Sequence, residues 1–169
     1  MKRIFMGLLI AVSTLTISTA NSTQSRVSIK EFVSSYLQMK NAFAEDNSSG
    51  AATAGKKLET AFKNFDKSSL TTAQKKTYED VETDAREHAE HIGKNGGNIA
   101  HQREHFVLLS KDIYDLVKAF GGGQVLYRDF DPMANNGKGA FWLSETKDIK
   151  NPYMGKAMLT SGSVKEEIK

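Results

Sequence analysis

Apolar residues recur along this chain in steps of three and four. The first run is Ile29, Phe32, Tyr36, Met39 and Phe43, and the second is Ala51, Ala54, Leu58, Ala61 and Phe65. The third is Tyr78, Val81, Ala85, His88 and Ile92, and the fourth is Ile99, Gln102, Phe106, Leu109, Ile113, Leu116 and Phe120. This spacing keeps one stripe of a helix turned toward a neighbour, so each run predicts an amphipathic helix. The polar positions agree. Ser28 with Glu31, and Thr71 with Gln74, have the spacing of capping boxes, and Asn98 can cap the fourth helix. Gly93 and Gly121 stand where helix-ending glycines belong, and neither proline falls before residue 132. With short connections between the runs, the expectation is mainly α: an antiparallel up-down four-helix bundle over residues 27–120.

The pattern changes at Gly121-Gly122-Gly123. Beyond it, VLYRDF and AFWLS are apolar and aromatic runs suited to short strands, with Asn135-Asn136-Gly137 as the turn between them. Asn151-Pro152 and Ser161-Gly162 punctuate the remainder. Residues 124–169 are too few for a confident domain of their own, so they are expected to fold as a small β-rich cap against the bundle.

The first twenty residues read differently. Lys2 and Arg3 precede the apolar stretch IFMGLLIAVSTL, and Ser18-Thr19-Ala20 offers small residues before a cut at Asn21. That is the pattern of a secretory signal peptide over residues 1–20, followed by a polar leader from Asn21 to Val27. The remainder, residues 21–169, is expected to be one exported domain without a membrane span. Losing Lys2 and Arg3 takes the formal charge from +3 to +1, and no basic stripe interleaves with aromatics. Nucleic acid is therefore a poor partner. The chain has no cysteine, which excludes thiol chemistry, iron–sulfur clusters and disulfide staples.

All four histidines lie between His88 and His105. Gly93 to Gly97 makes a tight connection, so the third and fourth helices should form a hairpin. His88 and His91 are spaced i,i+3, His101 and His105 i,i+4, so each pair can share a helix face. His88 falls on the apolar stripe and reads as a hydrogen-bonded core residue. His91 could serve the helix C-terminal dipole or a metal. His101, near a helix N-terminus, should stay neutral, and His105 should be partly buried beside Leu109. Neutral, half-buried imidazoles suit borderline metals, and they suit plain packing as well. No nucleophile–base pair or pair of carboxylates stands out, so no enzyme is expected.

The tail sharpens this. Asp131-Pro132-Met133-Ala134, Gly137 to Ser144, Ile149 to Gly155 and Met158 to Gly162 form long, specific blocks, joined by His91-Ile92 and Gln102 to Phe106 in the hairpin. Together they resemble a domain of unknown function found in exported Gram-negative proteins of the Bacteroidetes type. That domain also occurs fused to periplasmic adaptor subunits of copper/silver efflux systems. The resemblance implies a periplasmic protein that handles copper or silver ions, partnered by a heavy-metal efflux adaptor or pump component. It also places cysteines where this chain has Asp131 and Ser161. Without thiolates, the ligand set it leaves is His91, His101 and His105 from the hairpin with Met133 and Met158 from the tail. Asp131 would admit a harder ion, Cu(II) or Zn(II). Met154, Phe141 and Trp142 read as packing residues. The alternative is a metal-free interaction module that keeps the scaffold and has lost the site with its cysteines.

Overall fold

The computed structural model describes residues 20–169, with side chains from Ile29 onward. Residues 1–19, which hold nearly all of the expected signal peptide, lie outside the described residues. Four long helices, α1 (Ala20–Ala44), α2 (Ser48–Lys63), α3 (Thr72–Lys94) and α4 (Ile99–Phe120), form a helical bundle in which successive helices pack together and α4 closes back onto α1. A three-stranded antiparallel sheet follows: β1 (Leu126–Asp131), β2 (Ala140–Ser144) and β3 (Ser163–Ile168), in the order β2-β1-β3. No helix among the described residues is long and apolar enough to cross a membrane.

The caps explain most of the boundaries. Thr71 and Gln74 form the reciprocal capping box, and Asn98 accepts from the His101 N–H at 3.2 Å. Gly121, at φ +80°, ends α4 as expected. Two expected boundaries move. α1 starts at Ala20, so Asn21 to Val27 are helical and Ser28 is no N-cap. Gly93 lies inside α3, which runs on to Lys94 and ends at Asn95. Its role is contact: a Cβ at Gly93 would sit 3.2 Å from the Lys56 backbone nitrogen, and one at Gly55 would sit 2.9 Å from the Gly93 nitrogen. The two glycines let α2 and α3 touch backbone to backbone.

The apolar stripes form one core. In α2, Phe62 takes the buried position expected of Ala61, since a step of four from Leu58 keeps the stripe centred. Phe65, just past the helix, still packs its ring 4.4 Å from that of Tyr78. The third stripe runs 78, 81, 85, 89, 92, so Ala89 is buried where His88 was expected.

The sheet docks on α1 and α4 through a buried polar chain. Tyr36 shares a 2.7 Å hydrogen bond with Ser110, and its hydroxyl oxygen accepts from the Leu143 N–H at 3.1 Å. Tyr153 donates to the Phe141 carbonyl at 2.7 Å. Trp142, fully buried, anchors the sheet in the same core, as its sequence position suggested. Arg103 pins the loop after β2 to the bundle, donating to the carbonyls of Pro152 and Phe43 and to the Asp46 carboxylate. On the hairpin, Glu90 pairs with Lys94, and Glu104 lies beside His101. β3 was not foreseen: SVKEEI buries only Ile168, so its sequence carries almost no apolar signal.

Candidate functional site

The hairpin between α3 and α4 is held by its own polar residues. The Asn95 side chain donates to the His91 carbonyl at 2.7 Å, and the Gly97 and Asn98 N–H groups donate to the Asn95 carbonyl. This tight closure brings the last turn of α3 beside the first turns of α4. His91, His101 and His105 meet there, each half-buried, and each offers one ring nitrogen such that all three nitrogens lie within 4.8 Å of one another. The His91 and His105 rings stack at 4.3 Å between centroids, with His101 edge-on to His105 at 4.6 Å.

Nitrogens around a tetrahedral first-row metal at about 2.0–2.1 Å are roughly 3.3 Å apart. A metal ion would draw the three nitrogens, now within 4.8 Å of one another, closer together. The carboxylates of Glu87, 3.8 Å from His91, and Glu104, 3.6 Å from His101, would offset a cation's charge. Burial, reinforced by the three neighbouring imidazoles, pulls the His105 pKa down to about 4. That ring is therefore neutral, the form that binds metal, across the ordinary pH range.

His88 occupies a different place from the one its sequence position suggested. It is half-buried at the flank of α3, one residue off the core stripe, and its Nδ1 lies 3.1 Å from His105 Nδ1. Burial lowers its pKa too, with Asp84 and Glu87 opposing. The sequence did hold a signal for this pairing, because His88 and His105 lie at similar depth on the two arms.

The tail methionines belong to the cap. Met133 is 57% exposed and borders a cavity of about 360 Å³ with Ile99, Arg103, Val107 and Met154. At about 100° of helix rotation per residue, Arg103 lies nearly opposite His101 and His105 on α4. Arg103 fixes the cap against this face of α4, and Glu104, 3.6 Å from His101, also lines the cavity that Met133 borders. Met158 ends the 3-10 turn Gly155–Met158 beside α1, and is 42% exposed. Asp131 is fully engaged: Oδ2 accepts from Ser161 Oγ at 2.9 Å and Asn151 Nδ2 at 2.7 Å, and Oδ1 accepts from the Met133 N–H at 2.9 Å. These contacts hold the tail together.

Fold and geometry thus define a helical bundle with a three-histidine cluster at one hairpin and a small docked sheet. The chain belongs to the family described as protein of unknown function (DUF3347), which matches residues 32–124, more than half its length. That match ends before β1, so the tail blocks lie beyond it. No curated protein matches the chain, and no solved structure does.

Proposed function

We propose that this is an exported, periplasmic heavy-metal-binding protein, a carrier of or accessory to copper or silver efflux, without enzymatic activity of its own. One observation carries the reading: the ring nitrogens of His91, His101 and His105 within 4.8 Å of one another. Imidazole sets of this kind suit copper and zinc, and Cu(II) leads the divalent series in affinity. The likeness of the tail to Bacteroidetes-type exported domains, also fused to copper/silver efflux adaptors, supports copper or silver over zinc and an efflux adaptor or pump component as partner. The short connections and the ring of neighbouring helices support an up-down antiparallel bundle as the scaffold. Met133 and Met158 are left out of this reading, because the observation that carries it involves the histidines alone.

The rival reading, a metal-free interaction module, draws on the Asp131–Ser161 hydrogen bond, which closes the place where thiolates would hold Cu(I). Titration calorimetry with Cu(I), Ag(I), Cu(II) and Zn(II), beside a His105→Ala variant, separates the two. One ion per chain with Kd under about 10 μM, weakened at least about tenfold by the variant, is expected. Binding no tighter than tens of micromolar for every ion would favour the module.

A further inference from the structure

We infer that His88 is a positioning residue for His105: it accepts a hydrogen bond from His105 Nδ1–H and so leaves His105 Nε2 free to take a metal ion. The inference deepens the metal-binding reading and, for its consequence on affinity, rests on it.

The two Nδ1 atoms are 3.1 Å apart. At that distance one must carry a proton and the other a lone pair, and a neutral imidazole has a single proton to place. Two arrangements remain. If His88 donates, His105 holds its proton on Nε2, and neither of its nitrogens has a lone pair to spare for a metal. If His105 donates, its Nε2 lone pair is free.

The cluster decides between them. His105 contributes a ring nitrogen to the set of three within 4.8 Å of one another, and its Nδ1 is already engaged by His88. An ion held there needs the Nε2 lone pair of His105, which leaves its Nδ1 as the donor and His88 Nδ1 as the acceptor. His88 itself stays outside the set of three whose nitrogens lie within 4.8 Å of each other. It acts on the ion through His105, as histidine ligands are commonly oriented by a partner on their second nitrogen. The bond also fixes the His105 ring, whose stacking on His91 sets the shape of the cluster.

The test begins without metal. Long-range ¹⁵N–¹H correlation NMR of the histidine side chains in the wild-type chain should show His105 protonated on Nδ1. In His88→Ala it should revert to Nε2–H. In His88→Asn, whose side-chain oxygen stands about where Nδ1 stood, the Nδ1–H form should return. Cu(II) and Zn(II) titrations should then show a loss of about 10- to 100-fold in His88→Ala, largely recovered in His88→Asn.

An Nε2–H tautomer of His105 in the wild-type chain would overturn the inference, as would a tautomer unmoved by His88→Ala. The metal reading fails separately: a chain that binds no ion yet shows the Nδ1–H form keeps the pairing and loses the proposed function. A chain whose binding needs His105 but ignores His88 keeps the function and loses this inference.

Discussion

Ser161 donates its hydroxyl to the Asp131 carboxylate at 2.9 Å, joining the end of β1 to the turn before β3. These are the two positions at which the resemblance places cysteines, so residues 30 apart in the chain occupy one spot in the fold. The contact keeps the geometry of a pair after both thiols have gone.

Replacing both residues with cysteine should therefore create a two-thiolate site in the tail. Asp131→Cys with Ser161→Cys is expected to bind Cu(I) at least about 100-fold more tightly than either single variant, since soft thiolates favour that ion. Competition with a chromogenic Cu(I) chelator measures this. Equal affinities for double and single variants would show that the two side chains do not converge.

Asp129 makes a prediction about pH. It is fully buried opposite Trp142 in β1–β2, and neither carboxyl oxygen has a hydrogen-bond partner among the described residues. Burial pushes its pKa up from 3.8 to about 7, with Lys40 opposing only in part. A raised folded-state pKa means the native state holds the proton more tightly. Its contribution is present in full below about pH 3.8 and is lost as pH rises through about 7. Asp129→Asn should therefore stabilise the protein above pH 7, by on the order of 1–3 kcal/mol, and change little near pH 4. Asp112, also raised to about 7 by burial, leaves some of the slope in place. Urea denaturation across pH 4–8 tests this, and an Asn variant less stable at pH 8 would contradict it.

Gly55 makes a prediction about packing. A Cβ there would meet the Ala89 carbonyl at 2.8 Å and the Gly93 nitrogen at 2.9 Å, both backbone atoms that cannot swing aside. Overpacking of this kind costs about 1–3 kcal/mol, against about 1 kcal/mol gained in helix propensity. Gly55→Ala should therefore lower the Tm by several degrees. Gly97→Ala, with nothing within 4 Å of its Cβ, should be nearly neutral. Because Ala89 and Gly93 flank His91, the Gly55 variant should also weaken metal binding.

The helices were legible because their signal is local. Steps of three and four, a capping box at Thr71 and an end at Gly121 are written within a few residues of where they act. The turn at Asn135-Asn136-Gly137 was legible for the same reason, and all three residues adopt positive φ. β3 was hidden because an exposed edge strand has no apolar face to announce it. The burial of Lys40, Asp112 and Asp129 was hidden as well, since nothing local marks a charged residue for the interior.

The histidine cluster divides in the same way. The sequence by itself determined that His91 and His101 would lie at the same end of the hairpin with His105 one turn deeper, because a short connection forces its two ends together. It could not determine that His88 leaves the core stripe, a shift of one residue set by Ala89 packing against Gly55. Nor could it place Met133 and Met158. Which face of α4 the cap covers depends on Arg103 reaching Pro152 and Asp46, contacts 49 and 57 residues away. Contacts at that range are decided by the packing of the whole domain, and only the tertiary structure holds them.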